Sequence, residues 1–341
     1  MRTTTAALAL SIALAPAAVR GDAVAFIYHR FGEASLPSTS VTLAQFDAHL
    51  DHLARNGFKV WPLDRVVGAL LEGRALPEKV VAITIDDGFA SIYTEAYPRL
   101  KARGFPFTVF LNTDAIDRKL AGYLTWPQVK EMAAHGARYA NHGASHDRIW
   151  QRRDGEDAAR WAARIRDDIG RAQRRLQAEL GAETNESPRL YAFPYGEYDS
   201  ASVDLVKQMR YVPLGQHSGA IAVLGVPALP RFPMSERYAS IEDFAQKAQA
   251  RALPVQTLAP LDPRIGRGAN PPTLRLALPD ESWRERISCY YSGERMPVAW
   301  SGRELSVRAP RALEQGHSRY NCTGRDARGN WYWHSQPWLV D

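Results

Sequence analysis

Val80-Val81-Ala82-Ile83-Thr84-Ile85-Asp86-Asp87-Gly88-Phe89 is the stretch on which the reading of this chain turns. A run of apolar and β-branched residues stops at two adjacent carboxylates and a glycine. Such a run reads as a buried strand, covered on both faces as parallel strands are. Two unpaired acids cannot be core, because burying a lone carboxylate costs too much. They belong at the end of the strand, with positive charge nearby. Asp-Asp-Gly is also good turn chemistry, so the stretch alone fits either a turn or a site.

Outward from this strand, strand-like and helix-like segments alternate from residue 23 to about residue 250. Ala23–Tyr28, Phe107–Leu111, Ala137–Ala140, Leu190–Phe193, Tyr211–Leu214 and Ala220–Leu224 read as further short strands. Between them, Thr42 with Gln45 signals a capped helix whose apolar stripe is Leu43, Phe46, Leu50 and Leu53. Other helices start near Asp64, Ile92, Thr125, Glu156, Ser200 and Ile241, and the one from Glu156 to Leu180 is the longest. This alternation predicts parallel strands with crossover helices. About seven strands in this length suggest an α/β fold of the barrel-like (β/α) kind.

The pattern changes near Leu253. Pro254, Pro260, Pro263, Pro271 and Pro272 read as a linker over residues 253–272. Short alternating runs follow at Leu274–Leu278, Ile287–Tyr291, Val298–Trp300, Leu305–Val307 and Trp331–Trp333, predicting a small antiparallel β domain over residues 273–341. Trp331 and Trp333 should share one face of their strand, with Tyr332 opposite. This aromatic group, with Trp338, suits either a core or a sugar platform. Trp126, Trp150 and Trp161 read as packing residues.

Met1 to about Gly21 has the make-up of an export signal: Arg2, an apolar Ala6–Ala15, then the small residues Ala15-Pro16-Ala17-Ala18. It is too short for a membrane span. The expected location is the periplasm or the exterior, with one large domain over residues 22–252 after cleavage. Cys289 and Cys322 are the two cysteines of the chain, and export favours a disulfide between them. Net charge is +6, with the arginines spread through the chain and no recognisable nucleic-acid module.

Several polar residues share one position: directly after a predicted strand. His29 follows Phe26-Ile27-Tyr28, Asp86 and Asp87 end the 80–85 strand, His142 and His146 follow 137–140, and Pro194-Tyr195-Gly196 follow 190–193. In a parallel barrel these ends gather on one rim, where sites form. His142 and His146, four apart, can face one point, and Asp87 completes a His₂-carboxylate set for a divalent ion with open positions. Zn²⁺, Co²⁺ and Ni²⁺ all suit such ligands.

Thr84-Ile85-Asp86-Asp87-Gly88 resembles the first motif of the polysaccharide deacetylases, the NodB-homology domain of carbohydrate esterase family 4. His142-Gly143-Ala144-Ser145-His146 resembles their H-x-x-x-H motif, and Phe193-Pro194-Tyr195-Gly196 their Pro-Tyr-Gly motif, in family order. The resemblance covers roughly residues 22–250 and implies a distorted (β/α) barrel with metal-dependent N-deacetylase activity. It implies Asp87, His142 and His146 as metal ligands, Asp86 as general base toward the attacking water, and the Tyr195 N–H as oxyanion donor.

Two departures narrow the resemblance. The family's Leu-x-His motif is replaced by Leu229-Pro230-Arg231-Phe232, and Ala192 stands where an arginine usually precedes the third motif. Both features resemble the branch acting on poly-β-1,6-N-acetylglucosamine, in which the acid histidine lies on the first strand. The resemblance therefore implies His29 as general acid, and Arg231 or Arg30 as the group orienting Asp86. His217 follows Leu214-Gly215-Gln216 and could line the site, whereas His49, His52 and His135 read as surface or packing residues. The implied substrate is an acetylated hexosamine polymer, most closely an exopolysaccharide, with an export system as a possible partner. Peptidoglycan or chitin deacetylation, O-acetyl ester hydrolysis, and an inactive carbohydrate-binding accessory are the alternatives.

Overall fold

The computed structural model describes residues 21–181, 187–222 and 226–340. Apart from Gly21, the expected export signal lies outside the described residues.

The first sheet contains β1 (Ala23–Tyr28), β2 (Val80–Asp87), β3 (Phe107–Leu111), β4 (Ala137–Asn141), β5 (Arg189–Ala192), β6 (Tyr211–Leu214), β7 (Ala220–Ile221) and β8 (Phe232–Pro233). Its main path runs β7-β1-β2-β3-β4-β5-β6. Every neighbouring pair from β1 to β6 is parallel, as the unbroken apolar runs predict. β7 differs, lying antiparallel to β1, and residues 223 and 224 of the longer strand expected there lie outside the described residues.

Barrel closure by continuous strand pairing is not seen among the described residues. The path ends at β6 on one side and β7 on the other. The segment 229–234 spans between the two sides by single contacts. Leu229 bridges Leu214, Arg231 N donates to the His217 carbonyl at 3.0 Å, β8 pairs in parallel with β1, and Met234 N donates to the Ile27 carbonyl at 2.9 Å. This threading carries Arg231 into the interior.

Helices α1 (Leu43–Arg55), α2 (Leu63–Leu71), α3 (Trp126–Ala133), α4 (Ala158–Leu180), α5 (Ser200–Gln208) and α6 (Ile241–Ala248) cover the sheet. The Thr42–Gln45 capping box forms as read from the sequence. α1 and α6 seal one face, where Phe26 stacks on Phe244 at 4.3 Å between ring centroids. His49 belongs to this core: it is fully buried, stacks on Phe244 at 4.1 Å, and meets the Tyr28 hydroxyl at 3.0 Å and the Ala239 carbonyl at 2.9 Å.

The C-terminal region is built of β9 (Arg251–Ala252), β10 (Gln256–Ala259), β11 (Arg264–Ile265), β12 (Thr273–Ala277), β13 (Ile287–Tyr291), β14 (Glu294–Met296), β15 (Val298–Ser301), β16 (Glu304–Arg308), β17 (Gly316–Arg325) and β18 (Trp331–Val340). One sheet is antiparallel, in the order β10-β12-β16-β15; the other runs β9-β18-β17-β13-β14, with β11 also on β18. Their inner faces share a core that includes Leu274, Leu276, Leu305, Tyr320 and Trp338. A disulfide joins Cys289 and Cys322, which face each other on β13 and β17.

The proline-marked stretch 253–272 is not a bare linker, since it supplies β10 and β11 to the two sheets. The regions also interlock. β9 pairs in parallel with β18, and the Trp333 ring sits edge-on to Phe232 of β8 at 5.3 Å. Alternation along β18 sends Tyr332 the other way, against Trp283, and Trp338 is wholly buried.

Candidate active site

The polar residues that end the parallel strands converge as the sequence predicts. Asp87 closes β2, and its Oδ1 lies 3.2 Å from His142 Nε2 and 3.1 Å from His146 Nε2. One ligand atom from each of the three lies within 4.8 Å of the others. His142 is fully buried and its Nδ1 is 2.8 Å from the Ala192 carbonyl, which can only accept. Nδ1 therefore carries the hydrogen, and Nε2 points its lone pair toward the Asp87 oxygen. Such an N₂O set of converging lone pairs needs a cation or an extra proton at its centre, and it fits a divalent ion.

Backbone strain is concentrated at this point. Asp87, His146 and Tyr195 all have left-handed backbones, with φ of 76°, 61° and 59°. Each such residue costs on the order of 1–3 kcal/mol and persists because surrounding contacts fix it. For the histidine turn, those contacts come from α4. Asp168 accepts from Ala144 N and Ser145 N, both at 3.0 Å, and Asn141 Oδ1 accepts from Gly143 N at 2.8 Å. Gly143 has φ of 77°, and a Cβ there would lie 2.8 Å from Asp168 Oδ2.

Asp86 has a different environment. It is fully buried, and Arg231 grips both its oxygens, Nη1 to Oδ1 at 2.7 Å and Nη2 to Oδ2 at 2.8 Å. Arg231 is itself fully buried, with Nε donating to the Gly215 carbonyl at 3.0 Å and Nη1 to Thr84 Oγ1 at 3.2 Å. Of the two arginines considered for this place, Arg30 is engaged elsewhere: it pairs with Glu33 at 2.6 Å and lies 3.3 Å over the Phe89 ring.

The electrostatics separate the two adjacent acids. Burial pushes the Asp87 carboxyl up, but with a proton rather than a cation at the centre the hydrogen bonds from His142 and His146 outweigh it and hold the group well below the usual carboxylate range. Burial alone would depress His142; its bond to Asp87 and the two carboxylate charges raise it instead. His29, half-buried after β1, is lowered by burial while Asp87 and Asp86 pull it up, so it shares the field of this cluster.

Tyr195 sits in the turn after β5, with its ring centroid 4.7 Å from that of His146 and the Arg148 guanidinium 4.2 Å from the ring centroid. Its N–H donates to no protein acceptor among the described residues. His217 lies behind the site, with burial pushing it down to about 3 and Nδ1 without a partner among the described residues. His52 and His135 are outside it: His52 packs near Phe58, and His135 meets the Tyr97 hydroxyl at 2.9 Å. Trp161 packs as expected, its indole donating to the Ile149 carbonyl at 2.7 Å, and Trp126 binds Asp117 at 2.7 Å. Trp150 is different, because it lines an open cleft of about 590 Å³ with Gln151, Arg152 and Arg264.

Sequence reasoning missed Asp168, Arg148 and Glu197. Glu197 had one legible signal, its place directly after Pro194-Tyr195-Gly196; Asp168 looks like any acid of a charged helix face.

With this geometry in place, the comparisons are specific. The polysaccharide deacetylase family model matches residues 73–214. YxkH of Bacillus subtilis (strain 168), named as a candidate polysaccharide deacetylase, is 34% identical over 120 residues, which is 35% of this chain and 42% of that protein. The poly-β-1,6-N-acetyl-D-glucosamine N-deacetylase of Escherichia coli (strain K12) is 26% identical over 227 residues, covering 57% of this chain and 33% of that protein. The alignments thus span less than half of either relative. Among solved structures, IcaB from Ammonifex degensii superposes with a TM-score of 0.57 at 25% identity, over 68% of this chain and 99% of that one. The Streptococcus pyogenes deacetylase PplD, solved with acetate, shares the fold with a TM-score of 0.59 at 22% identity, over 67% of this chain and 99% of that one. Matched motifs, matched fold and a converged Asp/His cluster lead to one statement: the chain carries a domain of the polysaccharide deacetylase family.

Proposed function

We propose that this chain is an exported, metal-dependent N-deacetylase acting on an N-acetylhexosamine polymer of the poly-N-acetylglucosamine type. The observation that carries the reading is the meeting of Asp87, His142 and His146 within 4.8 Å, beside an Asp86 held by a buried arginine. Those three residues would hold the ion, zinc first, with cobalt or nickel as fitting alternatives. When bound, the ion supplies Lewis-acid polarisation of the attacking water and of the amide carbonyl.

The remaining chemistry belongs to the chain. Asp86 takes a proton from the attacking water, and the bidentate Arg231 keeps its carboxylate aimed. The Tyr195 N–H, uncommitted to any protein acceptor among the described residues, receives the developing oxyanion. His29 gives a proton to the leaving amine; its depressed affinity for protons makes the charged imidazole a strong donor. Acetate and a free amine result, and the barrel-like arrangement of strand ends keeps these groups on one rim.

The substrate assignment is supported by the named activity of the Escherichia coli relative and by His29 on the first strand. Export to the periplasm or beyond is supported by the apolar N-terminal stretch and by the disulfide. An exopolysaccharide export system is the corresponding partner. The test is acetate release from a panel of defined acetylated glycans, with and without added zinc and with chelator. Release from poly-N-acetylglucosamine oligomers, abolished by chelation, is expected; release from none of the panel would overturn the reading.

A further inference from the structure

Glu197 follows the Pro-Tyr-Gly turn and buries its carboxylate, with 1% of the side chain exposed. One oxygen bonds Arg148 and the other accepts from the Trp150 indole N–H at 2.9 Å. Arg148 in turn lies with its guanidinium 4.2 Å from the Tyr195 ring centroid, and that ring contacts His146 at 4.7 Å. The chain of contact therefore runs from a candidate metal ligand, through the aromatic ring of the oxyanion residue, to a buried acid.

The same turn is touched from the C-terminal region. His317 Nδ1 lies 3.4 Å from Glu197 Oε1, and Arg319 Nη1 donates to the Gln216 carbonyl at 3.3 Å. His317 and Arg319 are two apart on β17, so both project from one face of that strand. Gln216 backs the turn directly: Gly196, with φ of 69°, is so close that a Cβ on it would lie 2.5 Å from Gln216 Cβ. A left-handed tyrosine followed by a left-handed glycine is a conformation that surrounding contacts must enforce. Those contacts are Glu197 with Arg148 on one side and β17 on the other.

We propose that Glu197 is a positioning residue that holds the Tyr195 N–H toward the reacting carbonyl through Arg148, and that His317 makes the C-terminal β region part of this clamp. The proposal rests on the deacetylase reading above and adds residues to which that reading gave no role. Misplacing a donor by about 1 Å can cost on the order of 100-fold in rate, so loosening the clamp should act on turnover.

The test uses the full chain with Glu197→Gln, Arg148→Met and His317→Ala, assayed on an acetylated hexosamine oligomer. Glu197→Gln should lower kcat about tenfold or more with KM within about twofold. Zinc stoichiometry and calorimetric zinc affinity should stay at the parent's values. The double variant Glu197→Gln/Arg148→Met should lose no more than the worse single, because both act through one ring. His317→Ala, an exposed and mild change, should lower kcat by a few-fold. Independently of activity, hydrogen–deuterium exchange in the peptide holding Tyr195 should quicken in Glu197→Gln. A variant with lowered melting temperature but parental kcat and unchanged Tyr195 exchange would overturn the proposal, as would additive losses in the double variant. A parent chain that releases no acetate but binds zinc would instead remove the deacetylase reading, leaving the exchange result to judge the clamp.

Discussion

Arg231 and Asp86 form a wholly buried, two-pronged ion pair, with both guanidinium nitrogens within 2.8 Å of their carboxylate oxygens. The arginine comes from the irregular segment between β6 and β1, and the acid from the end of β2. The sheet order and the proposed base are thus joined at one contact. Arg231→Met would leave a buried carboxylate uncompensated, with a cost of about 3–5 kcal/mol. Arg231→Lys keeps the charge but loses the fork, so it should fold and still lose about 100-fold in turnover. Urea unfolding and acetate release check the pair of variants; a fully active Arg231→Lys would contradict the role given to the fork.

Asp168 acts on the candidate metal centre without touching it. Its two oxygens accept from the amides of Ala144 and Ser145, between the two candidate ligands His142 and His146. Asp168→Ala should weaken metal affinity by about 10–100-fold, as loss of outer support does in other metal sites. Titration with zinc measures this, and an unchanged affinity would show that the turn holds itself.

His29→Ala should lower turnover while leaving metal stoichiometry intact, since His29 enters the field of the cluster without belonging to its ligand set. A loss of about 10²–10⁴-fold is the range for a proton donor. Loss of the metal instead, or an unaltered rate, would remove His29 from the acid's place.

Stability should fall on mild acidification. Burial lowers His49 to about 4, His217 to about 3 and His334 to about 4, each against about 6.5 when unfolded. Between these values the unfolded chain binds more protons than the folded one, so stability is full above about pH 6.5 and declines as pH drops toward 4. Each histidine contributes a slope of roughly 1.4 kcal/mol per pH unit at most. Urea unfolding at stepped pH should show an uptake approaching three protons near pH 5, and His49→Gln should remove about one of them. A flat stability profile between pH 6.5 and 4 would contradict the burial of these neutral rings.

Much of this arrangement was legible before any coordinates. The parallel strands announced themselves through Val80–Ile85 and its equivalents, because a strand buried on both faces must be continuously apolar. Asp87, His142 and His146 were legible because each follows such a strand, and their convergence needed only the rim. Arg231 was legible as one of two candidates; the choice depended on the threading of 229–234, which no period marks. The open path between β6 and β7 among the described residues, the strands within 253–272, and the contacts of Arg148, Glu197 and Asp168 were not legible. They depend on pairings between segments distant in sequence, and side chains of ordinary surface type give no local sign of them.

In the proposed mechanism Asp87, His142 and His146 hold an ion required for deacetylation. The most direct measurement is zinc content, by elemental analysis, together with acetate release for the parent chain and for Asp87→Ala and His146→Ala. About one ion per parent chain is expected, with loss of both ion and activity in each variant. Variants that release acetate at the parental rate, with or without bound zinc, would contradict it.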